Sequence, residues 1–193
     1  MQLDKTFWDS RYQNNETGWD IGFAATPLVD YFSQLKDKSI SILIPGAGNA
    51  YEAEWLHKNG FINTHFLDIS SEAVANFKKR VPTFAMQNVH LEDFFSHQSQ
   101  YDLIVEQTFF CALNPGLRES YVNKIAELLK PGGKLVGLLF DDPLNDDHPP
   151  FGGCKEEYEK LLNKRFELKV METAKNSIAP RQGRELFFIA IKK

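Results

Sequence analysis

The sequence predicts a doubly wound α/β fold: a mostly parallel, seven-stranded sheet with helices on both faces and a helical extension ahead of it. Three observations carry this expectation. Apolar, β-branched runs alternate with amphipathic segments along almost the whole chain, and such alternation implies right-handed βαβ crossovers. The first of these runs, residues 39–44, breaks at Pro45-Gly46-Ala47-Gly48, a glycine-rich turn where a strand hands over to a helix. The 193 residues are 42% hydrophobic and 25% charged. A chain of that length buries roughly 70% of its unfolded surface, enough for one well-filled core without staples.

The elements follow in order. Helices over 5–13 and 27–35 make the extension, the second with Thr26 as its cap and Pro27 in its first position. Residues 1–37 are thereby set apart from a sheet core of 38–193 within a single domain. Residues 39–44 read as a buried strand, 50–59 as a helix stopped by Gly60, and 61–69 as the second strand. Ser70 or Ser71 caps a helix over 72–80, because a serine hydroxyl accepts from a first-turn amide. A short strand is expected near Phe84-Ala85-Met86, then a polar loop through Asp93, then a strand over 101–105. Residues 117–129 place Tyr121, Ile125, Leu128 and Leu129 on one helical face and end at Pro131-Gly132-Gly133. A strand over 134–140, a loop rich in Asp, Pro and Gly over 141–153, a helix over 156–163 and strands over 166–171 and 186–191 complete the chain.

Composition narrows the function. A net charge of −4 leaves no basic stripe of the kind that tracks a phosphate backbone, so nucleic acid is not expected as a partner. No apolar run approaches the ~20 residues that span a bilayer, and the opening Met1-Gln2-Leu3-Asp4-Lys5 is polar. Cys111 and Cys154 are too few for a disulfide framework and lack metal-ligand spacing, which suits a reduced, cytoplasmic setting. No exposed apolar seam is evident, so a monomer is expected. The 16 Phe, 6 Tyr and 3 Trp amount to 13% aromatic residues, more than packing alone calls for.

In open α/β sheets ligands bind beyond the carboxyl ends of the strands, where the strand order reverses. At the first such end, Gly46 and Gly48 permit either close approach of a ligand or simply a tight turn. Asp68 follows Gly48 by about 20 residues, the spacing at which an acid reaches ribose hydroxyls in nucleotide-binding βαβ units. It could equally cap the next helix. Tyr51 occupies the place of the third glycine of the dinucleotide fingerprint, so an adenosine without a pyrophosphate fits better than a dinucleotide. The third strand end offers His90, Leu91 and Asp93 at the height of an adenine edge, or else an ordinary acidic loop. The fourth offers Glu106 and Gln107 with Phe109 and Phe110, which serve as pocket wall or as core. His57, His65, His97 and His148 show no partner pattern and read as surface or internally satisfied residues.

Together these strand ends resemble the class I S-adenosylmethionine-dependent methyltransferases. More narrowly the chain is similar to the thiopurine S-methyltransferase family, and within it looks most like the plant-type thiol and halide methyltransferases. The residues that carry this are Phe7-Trp8-Asp9-Ser10-Arg11-Tyr12, Thr17-Gly18-Trp19-Asp20, Ile44-Pro45-Gly46-Ala47-Gly48 with Glu52 and Trp55, and Leu67-Asp68-Ile69-Ser70. Tyr101-Asp102-Leu103-Ile104, the run from Phe109 to Pro115, Leu128-Leu129-Lys130-Pro131-Gly132-Gly133, His148-Pro149-Pro150-Phe151 and Ile178-Ala179-Pro180-Arg181 continue it. The resemblance implies S-adenosylmethionine as cofactor and methyl transfer to a small soft nucleophile: a thiol, bisulfide or a halide ion. It sets Gly46 and Gly48 against the methionine part, Asp68 on the ribose hydroxyls, and His90 and Leu91 beside the adenine near Asp93. Trp8, Tyr12 and Trp19 would close the pocket as a lid. Glu106 matches an acidic position of the thiol and halide branch, on the cofactor and at the reaction. Gln107 stands where the thiopurine branch has arginine, which weakens the case for a thiopurine. Arg181 is expected on the acceptor side, and Phe109, Phe110 and Phe151 in the acceptor pocket.

Overall fold

The structure, a computed structural model, describes residues 2–193; Met1, the first residue of the polar opening, lies outside the described residues. Helix α1 (Lys5–Gln13) starts where the Asp4 side chain accepts from the Phe7 amide at 3.0 Å, and α2 (Thr26–Ser33) carries Pro27 in its first turn. The alternating body follows as β1 (Ile42–Pro45), α3 (Tyr51–Lys58), β2 (Thr64–Asp68), α4 (Ser71–Arg80), β3 (Val89–Leu91) and β4 (Tyr101–Gln107). It continues with α5 (Arg118–Leu128), β5 (Leu129–Phe140), α6 (Lys155–Leu162), β6 (Phe166–Thr173) and β7 (Glu185–Lys192). The seven strands lie in the order β3-β2-β1-β4-β5-β7-β6, the first five parallel and β7 antiparallel to both of its neighbours. This is the mostly parallel, doubly wound sheet that the alternation predicts.

Period-two patterning sorts the core into two layers. Ile42, Ile44, Leu103 and Val105 face α2, α3 and α4, packing with Leu28, Leu56 and Phe77. Leu43 and Ile104 face the other way, onto Tyr121, Ile125, Leu128 and Leu162 of α5 and α6. All of these side chains are essentially fully buried, and each contributes about 1.5–3 kcal/mol through water exclusion.

Several boundaries differ from expectation, each for a local reason. The third strand forms at Val89–Leu91, paired with Phe66–Asp68, rather than near Phe84. Phe84 is buried against Phe66 and Phe77, so its apolarity marks core contact and not a strand. A 3₁₀ turn over Met86–Asn88 then lets the Asn88 side-chain amide donate to the Thr64 carbonyl at 3.1 Å and delivers the chain into register. Strand β1 begins at Ile42 because the amide and hydroxyl of Ser41 are taken by the Asp102 carboxylate, at 2.8 and 2.7 Å. Thr26 does not cap α2: Ala25 holds the cap position, and the Thr26 hydroxyl donates to the Asn176 carbonyl instead. Leu129 leaves the helical face expected for it and starts β5.

The extension is tied to the body by one side chain above others. Asp9 accepts from the Ser70 hydroxyl at 2.7 Å, the Ser71 hydroxyl at 3.1 Å and the Glu72 amide at 3.3 Å, and it pairs with Lys5. These partners form the N-terminus of α4, where the helix dipole favours an anion. Burial pushes the Asp9 carboxyl up, but the bonds from Lys5, Ser70, Glu72 and Ser71 outweigh it and hold the carboxyl at about 2. A depressed carboxyl stabilises the fold above its ordinary titration range and loses that contribution as the pH falls. Asp9→Asn is therefore expected to cost about 1–2 kcal/mol at neutral pH by urea denaturation. The gap between wild type and variant should close as the pH drops from near 3.8 towards about 2.

Candidate active site

The strand order reverses between β1 and β4, and beyond their carboxyl ends lies a cavity of about 890 Å³. Its floor is the turn after β1. Gly46, Gly48 and Ala50 all take left-handed φ angles, of 56°, 56° and 53°. Space is as tight as the torsions are unusual: a Cβ on Gly46 would stand 2.0 Å from the Phe109 ring, and one on Gly48 would stand 2.7 Å from the Tyr12 hydroxyl. Only glycine satisfies both demands.

Asp68, at the end of β2, forms the adjoining wall. Its carboxylate accepts from the Gly48 amide at 2.7 Å and from the Ser70 amide at 2.8 Å. Burial pushes this carboxyl up to about 6 despite those bonds. Each oxygen keeps a further lone pair that a hydroxyl group could use.

The roof comes from α1 and the segment after it. Trp19 sits edge-to-face with Trp8 and with Tyr12, at centroid distances of 5.5 and 5.8 Å. Two more acids position this segment: Asp20 accepts from the Asn49 side-chain amide and the Gly22 amide, and buried Glu52 accepts from the Ala25 amide at 2.9 Å. At the far side Arg181 donates to the Trp19 carbonyl at 2.7 Å and faces Glu185 at 3.4 Å. The roof is thus fastened at both ends.

Of the residues anticipated from sequence, Trp8, Tyr12, Trp19, Gly46 and Gly48 line this cavity, as do Asp68, Asp93, Phe109 and Arg181. Glu106, Phe110, Phe151, His90 and Leu91 do not. Glu106 lies beneath the floor: one oxygen accepts from the Phe109 and Phe110 amides at 2.8 and 2.9 Å, the other from the Tyr121 hydroxyl at 2.5 Å. Burial pushes its carboxyl up to about 7 against those three bonds. With both oxygens engaged by the protein, Glu106 braces the turn after β4 and does not face the reacting space. Phe110 packs on Tyr121 and Tyr158 in the core. Phe151 is buried behind the wall with its amide on the Cys111 carbonyl, while His148, Pro149 and Pro150 reach the cavity in its place. His90 stacks on His65, and Leu91 is half exposed.

Sequence reasoning passed over Asn49 and gave Gln107 no role of its own. Both line the cavity, and the side-chain oxygen of each is buried without a partner. Unpaired buried acceptors call for a donor on the ligand. Two such oxygens, the Asp68 carboxylate and a glycine cradle fit a molecule that carries a ribose diol and an ammonium group. S-adenosylmethionine is such a molecule.

Comparison with known proteins agrees with this geometry. The family model described as Thiopurine S-methyltransferase matches residues 3–188. A probable thiol methyltransferase 2 of Arabidopsis thaliana is 31% identical over 190 residues, 92% of this chain and 81% of that protein. A thiopurine S-methyltransferase of Photobacterium profundum is 24% identical over 178 residues, 83% of each chain. Among solved structures, a magnesium protoporphyrin IX methyltransferase from Synechocystis PCC 6803 with bound S-adenosylhomocysteine superposes with a TM-score of 0.75 at 12% identity, covering 98% of this chain and all of the other.

The buried position of Glu106 has a measurable consequence. Glu106→Ala leaves the Tyr121 hydroxyl and two amides unpaired and should cost about 2–3 kcal/mol in thermal or urea unfolding. Glu106→Gln keeps an acceptor for the amides and is expected to fold near wild-type stability with methyl transfer largely retained.

Proposed function

The chain belongs to the thiopurine S-methyltransferase family of S-adenosylmethionine-dependent methyltransferases, and we propose that it methylates a small soft nucleophile: a thiol, bisulfide or a halide ion. The observation that carries this reading is a single cavity that joins a polar glycine cradle to apolar walls. The same cavity is lined by the Gly46–Gly48 cradle and Asp68 and by Phe140, Leu144, Pro149, Pro150 and Arg181, with the Phe109 ring against Gly46. In this reading residues 1–37 act as a lid on the 38–193 core. We place the enzyme in the cytoplasm as a monomer. No described helix is long and apolar enough to cross a membrane, and both cysteines are free.

When bound, the cofactor supplies a methyl group on a cationic sulfur, an electrophile already activated for in-line displacement. Its methyl carbon would be open to displacement by a thiolate or halide held in line with the sulfur by the walls of the cavity. Such a nucleophile needs no general base, so the protein's task is to hold the partners in line, which supplies about 7–11 kcal/mol for well-oriented reactants. In this reading Asp68 and the Gly48 cradle hold the adenosine and methionine ends. Trp8, Tyr12 and Trp19 exclude water, which makes a small anion more reactive. Aromatic faces favour the sulfonium by about 0.5–2 kcal/mol per contact. Arg181 attracts the anionic acceptor.

A panel of iodide, bisulfide, thiocyanate, thiophenol and a thiopurine, with gas chromatography of volatile products, tests the acceptor class. At least one anion is expected to yield its methyl product. Turnover of the thiopurine alone would overturn the proposal in favour of a heterocyclic thiol. Trp8→Ala should lower kcat/KM by about tenfold to a hundredfold through loss of alignment. Arg181→Gln should raise KM for anions more than for a neutral thiol.

A further inference from the structure

At the carboxyl end of β3, apart from the cavity wall, three donor groups converge from the run between His90 and His97. The imidazole nitrogens of His90 and His97 and a carboxylate oxygen of Glu92 lie within 4.8 Å of one another. His90 and Glu92 stand two residues apart, on one side of the strand end, and a 3₁₀ turn over Phe94–Ser96 brings His97 back to them. The Glu92 oxygen is 2.7 Å from Nδ1 of His97 and 3.9 Å from Nδ1 of His90. Donors bound to one tetrahedral zinc at about 2.0–2.1 Å stand about 3.3 Å apart, midway between those two separations. The third separation, between the two histidines, is within the same 4.8 Å, so a shared ion would draw the three donors together.

The surroundings are arranged as ligating histidines require. Nε2 of His97, the nitrogen turned away from Glu92, lies 2.8 Å from the Tyr101 hydroxyl. Nε2 of His90 lies 3.0 Å from Nδ1 of His65. In the metal-free protein Nδ1 of His97 donates its proton to the Glu92 carboxylate, which only accepts. A metal ion on Nδ1 would displace that proton, and the tautomer with the proton on Nε2, donated to Tyr101, would then be held in place. Metal-bound histidines almost always have their second nitrogen held in this way. Burial is graded as well: the His97 side chain is 4% exposed, that of His90 22% and that of Glu92 40%. The cluster therefore has a fixed inner ligand and an open side for entry and for a water.

We propose that His90, Glu92 and His97 form a binding site for a first-row divalent transition metal, with zinc the best match to two imidazoles, a carboxylate and one open position. Hard oxygen-seeking ions such as magnesium and calcium suit this donor set poorly. Asp93 and Phe95, which lie between Glu92 and His97 in the chain, line the cofactor cavity. An ion on the three ligands closes this loop and steadies that part of the wall. The proposal does not depend on which acceptor the enzyme methylates.

Isothermal titration of the chelator-stripped, full-length protein with zinc chloride should show one ion per chain, and cobalt should give the intense visible absorption of a four- or five-coordinate centre. Glu92→Ala and His90→Ala, chosen because both side chains are partly exposed and their loss leaves the core intact, should abolish both signals while thermal melting stays cooperative. His65→Phe keeps the stacking partner of His90 but removes its hydrogen bond, and should weaken zinc about 10- to 100-fold. His57→Gln should leave binding unchanged. Zinc binding that persists in both Glu92→Ala and His90→Ala, no heat of zinc binding, or a pale six-coordinate cobalt spectrum would each overturn the assignment.

Discussion

The carboxylate of Asp68 is the constraint on which the site is built. By accepting from the Gly48 amide with one oxygen and the Ser70 amide with the other, it joins the turn after β1 to the start of α4. The glycine turn can hold its left-handed torsions because that bond fixes its outer amide, and α4 begins where it does because the second bond fixes Ser70. Ser70 in turn caps α4 by accepting from the Ala73 amide, and donates its hydroxyl to Asp9 of α1. A single buried acid thus sets the floor, the wall and, through one hydroxyl, the roof. Its raised titration reflects the cost of holding a charge there, a cost met by backbone amides.

The roof depends on acids of a second kind. Asp9, Asp20 and Glu52 each bond to groups that lie far away in sequence; Asp20 and Glu52 line the cavity, whereas Asp9 lies outside it. Together they seat α1 and the following segment over the cavity, so that the Trp8, Tyr12 and Trp19 rings meet edge to face over it. Aromatic packing alone is short-ranged and weakly directional. The carboxylates supply the register that the rings lack.

Much of this was legible in the residues. The strand-and-helix alternation, the glycine turn, Asp68 and the aromatic residues over the cavity all carry local signals: torsional demand, spacing, or apolar periodicity. What escaped was decided by contacts remote in sequence. Phe84 looks like strand and is core, because apolarity reports burial and not hydrogen bonding. Thr26 looks like a cap, yet Asn176 claims its hydroxyl from the far end of the chain. Glu106 looked like chemistry because a charged residue at a strand end invites that reading. Its parity was the overlooked clue: Ile104 and Glu106 share the face of β4 that packs on α5, where Tyr121 waits. Gln107, one residue on, belongs to the opposite parity and reaches the cavity. The histidine cluster has no local signal either, because a 3₁₀ turn over Phe94–Ser96 is what brings His97 back beside His90 and Glu92.

The change of strand direction beyond β5 divides the labour of the site. The cradle and Asp68 come from the parallel half of the sheet, where the turn after β1 and the start of α4 are bonded to each other. The opposite wall comes from the loop over 141–153 and from the connection between β6 and β7, which carries Arg181. Substitutions in those two connections leave the hydrogen bonds of the glycine turn and of Asp68 untouched. The two connections can therefore change shape without disturbing the floor of the cavity, and they touch its roof where Arg181 meets the Trp19 carbonyl.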